Sequence, residues 1–146
     1  MTTPQQRAAN TRRLYAFEAT VLKLNPYLSM QRNKLWLVEQ SRYIWIVERG
    51  SIFGCPELYF NDALKLSYSQ SGHGIHFAKD QHDLMTLIHE LAHALGPEHE
   101  EVHGGSFVAR YFSMLVDHGQ LDPDELAMNA TMFGIKCKRN YAYPDR

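Results

Sequence analysis

Between Pro4 and Leu24 the apolar residues Leu14, Phe17, Val21, Leu22 and Leu24 recur at helical spacing before Asn25-Pro26, which predicts a first helix over that stretch. Residues 34–48, KLWLVEQSRYIWIVE, carry two patterns at once. Their β-branched and aromatic content suits a strand, while Leu37, Val38, Ser41, Ile44 and Trp45 share one helical face, and we read a helix. Gly50 and Gly54-Cys55-Pro56 break the chain, and ELYF follows as a short strand. LKLSYSQ, with Leu64, Leu66 and Tyr68 alternating against polar residues, and GIHFAKD are joined through Ser71-Gly72, which predicts a β-hairpin.

Asp80 offers an N-cap to the next helix. Its core stripe is Leu84, Leu87, Ile88, Leu91, Ala92 and Leu95, and Gly96-Pro97 should end it. After the loop EHEEVHGG, SFVARYFSMLVDHG reads as a helix with Ser106 as cap and Gly119 as stop. Asp122-Pro123-Asp124-Glu125 combines an N-cap, a proline at the first helical position and a capping-box acid, opening a last helix that ends near Gly134. The tail IKCKRNYAYPDR reads as a frayed basic terminus. Helices flanking a few short strands predict an α+β fold.

With 146 residues, 45% of them hydrophobic, and no repeat or linker, the chain is expected to form one domain over residues 1–146. A formal charge of −1 gives no reason to expect a nucleic-acid or membrane partner. The longest apolar run is YIWIV, and MTTPQQRAANTRRLYAF has no apolar core, so neither export nor membrane insertion is expected. Cys55 and Cys137 form no CxxC pair and read as reduced thiols of a cytoplasmic protein. Histidine is the departure from ordinary composition, since seven of the eight lie between His73 and His103.

Within that cluster His89, Glu90 and His93 form HExxH. Residues four apart on a helix lie one turn above each other, so His89 and His93 can aim their imidazoles at one ion. Glu90 is rotated by about 100 degrees from His89, beside the ion and outside its ligand set. A zinc ion held by neutral nitrogens keeps its Lewis acidity and lowers the pKa of a water it binds, and a neighbouring carboxylate can take the proton. The alternative is a pair of surface histidines on an ordinary helix, and a chance HExxH arises on the order of a few times per hundred chains of this kind. The motif's place in mid-helix, bordering the apolar stripe and followed by further histidines at ligand spacing, favours the metal.

Two residues compete as third ligand. HELAHALGPEH, from His89 to His99, matches HExxHxxGxxH, resembling the metzincins, with Gly96 ending the helix so that His99 swings back to the metal. HGGSFVARYF, from His103, instead resembles the SprT-like zincins, in which a distal HGxxF places the third histidine at the start of the next helix. More closely, the order of features is similar to a small actinobacterial and phage family of zinc metallohydrolases. The matching residues are Tyr15-Ala16-Phe17-Glu18, the hairpin around Ser71-Gly72, His89 to His93, His103 to Val108, and Phe133-Gly134-Ile135.

This resemblance implies a compact zincin-like domain, with a small antiparallel sheet packed beside the HExxH helix and additional helices. It implies a zinc metallopeptidase acting on a peptide or protein substrate, with His89, His93 and His103 as ligands, His99 as the alternative third ligand, and Glu90 as general base. Arg110 and Tyr111 are candidates for stabilising the oxyanion. The segment Gly74 to Lys79 is expected to border the cleft and lend an exposed strand edge to the substrate. Gly104 and Gly105 are expected to let the backbone approach the metal closely. His73, His76, His82 and His118 are read as structural or surface residues. A non-catalytic, zinc-stabilised scaffold or interaction protein is the alternative function. Glu98, Glu100 and Glu101 beside the site speak against a nucleic-acid partner.

Overall fold

The computed structural model describes residues 3–70 and 74–135. The turn at Ser71-Gly72, His73, Cys137 and the tail beyond Ile135 lie outside the described residues. In chain order the elements are α1 (Pro4–Leu24), α2 (Lys34–Arg49), β1 (Leu58–Phe60), β2 (Tyr68–Gln70), β3 (Gly74–Phe77), α3 (Leu84–Leu95), α4 (Gly105–Gly119) and α5 (Pro123–Met132), with a 3-10 turn at Pro26–Ser29. The fold is α+β. Two compact units share the chain: Tyr27–Gly96 is continuous, and Met1–Pro26 joins Pro97–Arg146 in the other.

In the continuous unit, α2 resolves the ambiguity of residues 34–48 in favour of the helical period. Leu37, Ser41, Ile44 and Trp45 are buried on one face. Asn33 caps the helix by accepting the Trp36 N–H at 2.8 Å, and Gly50 closes it in the left-handed conformation, φ 82°. Trp45 Nε1 donates to the Phe53 carbonyl at 3.0 Å and so ties down the loop that follows.

The sheet is mixed, with strand order β1-β3-β2. β2 and β3 pair antiparallel as the hairpin reading expects, while β1 lies parallel to β3 in the register Leu58↔Ile75, Tyr59↔His76, Phe60↔Phe77. This corrects the expected antiparallel sheet. The span between β1 and β3 is on the order of a dozen residues, enough to carry the chain back for a parallel pairing. It also corrects the expectation for Gly74 to Lys79, which was to be an exposed edge. β3 is the central strand, paired on both sides, and the edges belong to β1 and β2.

The hairpin is shorter than LKLSYSQ suggests because side chains replace the ladder above it. The Ser67 N–H donates to Gln81 Oε1 at 2.9 Å, and the Ala78 N–H donates to Ser67 Oγ at 2.8 Å. On β3, Ile75 and Phe77 point to the core, while His76 turns to the other face and stacks between Tyr59 (4.9 Å) and Tyr68 (4.5 Å). α3 packs against β2 and α2.

Gly74 begins β3 at φ 86°, where a Cβ would lie 2.5 Å from the Glu57 carbonyl oxygen and 2.8 Å from the Tyr59 ring. Gly74→Ala should therefore lower stability by at least about 1–3 kcal/mol, through backbone strain and the displacement of β1 together. Urea denaturation would check this, and an unchanged midpoint would contradict it.

α3 begins one turn later than Asp80 suggests. The N-cap is Asp83, whose carboxylate accepts the Thr86 N–H at 2.8 Å. Asp80 sits in the preceding turn at φ 64°, where the Gln81 N–H reaches the Ala78 carbonyl. Composition cannot separate two aspartates three residues apart; the one whose backbone is extended caps the helix.

In the other unit, α1 opens with a capping box. Thr3 Oγ1 accepts the Gln6 N–H, and Gln6 Oε1 accepts the Thr3 N–H. Leu14, Phe17 and Val21 are buried, and Phe17 stacks on Phe112 of α4 at 4.9 Å. Burying each of these phenylalanines stabilises by about 1.5–3 kcal/mol, more than a cap contributes, so packing holds α1 in place. α4 is capped by Gly104 without a side-chain bond and closed by Gln120 at φ 57°, so Ser106 lies inside the helix and is not its cap. In α5, Pro123 takes the first position as expected, while Asp122 makes no side-chain cap bond. None of the helices among the described residues is long and apolar enough to cross a membrane.

Candidate metal centre

α3 places His89 and His93 on one face a turn apart, with ring centroids separated by 5.0 Å. Eight of its twelve residues are buried, including His89 and Glu90, each 6% exposed. His93 is half-buried. An imidazole and a carboxylate in such surroundings cost free energy unless they are engaged, which argues against ordinary surface histidines.

The metal-binding atoms of His89, His93 and His103 all lie within 4.8 Å of one another. His99 is exposed and does not belong to this group. Gly96, the hinge of the alternative reading, has φ −84° and ψ 167°, extended backbone open to any residue. The chain turns through Pro97–Glu100 and Glu101–Gly104, each closed by a backbone hydrogen bond of 3.1 Å. The left-handed residue of the segment is His103 itself, at φ 54° and 7% exposed. A side chain other than glycine in that region is uncommon, and such residues concentrate where function fixes the backbone.

His103 is surrounded within its own unit. Thr11 Oγ1 lies 2.9 Å from its Nδ1, and Tyr15 of α1 and Phe107 of α4 present edge-on rings at 5.7 and 5.2 Å. The loop before it is anchored by Glu100, which forms a two-pronged ion pair with Arg110, one arm at 3.0 Å. The Arg110 guanidinium also lies over the Phe107 ring, 5.9 Å from its centroid. Tyr111, fully buried, donates its hydroxyl to Glu18 at 2.5 Å. Both oxyanion candidates are therefore held by carboxylates. Of the two glycines after His103, only Gly104 is constrained. A Cβ there would meet the Glu101 side chain at 3.2 Å, whereas one at Gly105 would meet nothing within 4 Å. The close neighbour at Gly104 is thus the Glu101 side chain.

Among the described residues, the remaining histidines lie apart from this group. His76 is sandwiched on the sheet, His82 packs edge-on against Phe60 and Phe77, and His118 is half-buried in the last turn of α4. Burial pushes the Cys55 thiol above its ordinary pKa, opposed by the neighbouring Ser41 hydroxyl and the Arg42 charge. That leaves it in the thiol form at neutral pH.

Thr11 is the participant that sequence reasoning missed, while Glu18 and Glu100 were singled out there without their partners Tyr111 and Arg110. The signal available for Thr11 was a row on one face of α1, since Thr11, Tyr15 and Glu18 are spaced by four and three residues.

Three neutral nitrogen donors suit zinc, and also copper, iron or nickel. Among the described residues no fourth histidine, cysteine or carboxylate joins the group. The chain matches no family model, no curated protein and no solved structure.

Proposed function

We propose that this chain is a zinc-dependent metallohydrolase of the zincin kind, cleaving peptide bonds in a peptide or protein substrate. The observation that carries the reading is the approach of three imidazole nitrogens to within 4.8 Å of one another, with the buried Glu90 next in sequence to one of them. His89, His93 and His103 would hold the ion. When bound, zinc in a three-histidine site supplies Lewis acidity that polarises a carbonyl and acidifies water. Three protein ligands leave a position for substrate or water, whereas structural zinc sites are usually closed by four.

The protein's own part falls to a few groups. Glu90 takes the proton from the attacking water and returns it to the leaving amine, which balances the proton count over the cycle. Glu90 works from a buried position on α3, next in sequence to His89. His89 and His93 are oriented by the rigid α3 scaffold, and His103 by its contacts with α1 and α4.

The test is to purify the chain and measure bound metal, then hydrolysis of an unfolded polypeptide with and without a chelator. One zinc per chain and chelator-sensitive cleavage are expected. A zinc-loaded protein that cleaves no peptide, and whose melting temperature drops sharply on chelation, would point instead to the non-catalytic, zinc-stabilised alternative.

A further inference from the structure

We infer that Thr11 is a positioning residue for the metal centre: its hydroxyl selects the orientation of the His103 ring that presents Nε2, and not a carbon, to the ion. This rests on the metal reading above and is independent of the hydrolytic one. His89 and His93 project from a helix, whose backbone restricts their rotamers. His103 has no such support, because it sits in a loop at φ 54°, ahead of the first residue of α4.

Tyr15 and Phe107 confine the plane of its ring through edge contacts, at interplanar angles of 66° and 67°. Apolar walls of that kind do not distinguish the ring from its flipped form. A half-turn about the Cβ–Cγ bond exchanges Nδ1 with Cδ2 and Nε2 with Cε1, leaving the outline of the ring nearly unchanged. Only a polar partner can tell the two apart, and Thr11 Oγ1, 2.9 Å from Nδ1, is placed to do so. The flipped ring would set a carbon against the hydroxyl and lose that bond.

The same contact sets the tautomer. An imidazole that binds metal through Nε2 carries its proton on Nδ1, and here Nδ1–H can donate to the threonine oxygen. The bond also makes Nε2 a better donor, since a hydrogen bond from the far nitrogen raises ligand basicity. The hydroxyl comes from α1, 92 residues away in sequence, so this ligand is organised by a helix that supplies none itself.

Thr11→Val keeps the branched shape and removes the hydroxyl, while Thr11→Ser keeps the hydroxyl and removes the methyl. Zinc affinity, measured by competition with a fluorescent chelator, should fall by about 10- to 100-fold in T11V and remain close to wild type in T11S. In the metal-free protein, nitrogen chemical shifts of the neutral His103 ring should report the Nδ1–H form in wild type and T11S. T11V should shift towards the Nε2–H form. Wild-type affinity in T11V, equal weakening of both variants, or a tautomer indifferent to the substitution would each overturn the inference. Both readouts need no substrate. A chain that binds zinc and hydrolyses nothing would sink the hydrolase reading while the role of Thr11 still stood on these measurements.

Discussion

Glu90→Gln should yield a folded, zinc-loaded protein whose hydrolysis is reduced by at least about a hundredfold, the usual scale of general-base catalysis. Glutamine matches glutamate in size and keeps a hydrogen-bonding oxygen, so a side chain only 6% exposed can be replaced without opening a cavity. What disappears is the capacity to accept a proton. Glu90 is next to His89 in sequence but offset by about 100 degrees around the helix, so zinc binding should survive the change. Metal content and turnover measured on the same preparation separate the two effects. Unchanged turnover would remove Glu90 from its role, and loss of zinc would show that it contributes to holding the metal.

The second large effect distinguishes the two competing histidines. His103→Ala should fail to retain zinc at concentrations where His99→Ala stays loaded, because removing a ligand costs much more affinity than the roughly 10- to 100-fold lost with a group that only supports one. His99 is exposed and outside the group of converging nitrogens, so its loss should leave the site intact. Alanine at 103 also strains a left-handed backbone, and a general loosening of α4 from that cause would confuse the result. His103→Asn answers that objection, since asparagine tolerates the conformation while lacking the imidazole. Zinc titration of all three variants decides the matter, and tighter retention by either His103 variant than by H99A would defeat the assignment.

What could be read in advance was whatever depends on neighbours in sequence. The limits of α1 followed from its apolar spacing and from Asn25-Pro26. The adjacency of His89 and His93 followed from the pitch of a helix, and the stretch 34–48 yielded to its buried face once Leu37, Ser41, Ile44 and Trp45 were taken together. The pairing partner of β1 was not legible, because a three-residue strand carries too little pattern to choose between parallel and antiparallel neighbours. Nor was the choice of Asp83 over Asp80, which turns on backbone angles set by the Ala78–Gln81 turn. Between His99 and His103 the motifs themselves pointed both ways, and local spacing could not show which imidazole would meet the other two. Thr11 was beyond reach for a simpler reason. Its partner is 92 residues distant, and a threonine on a half-buried helix face has no distinctive pattern.

The left-handed backbone at His103 has a consequence for which ligand chemistries the three positions could exchange. At 89 and 93 the helix favours long, unbranched side chains, so a glutamate would keep α3 intact at a smaller cost in propensity than an aspartate. At 103 the preference runs the other way. Aspartate and asparagine accept φ near 54° far more readily than glutamate, cysteine or any β-branched residue. A carboxylate-for-imidazole exchange that suits one part of this centre is therefore the wrong one for another. The vocabulary of workable replacements is set at each position by the peptide backbone before the metal has any say.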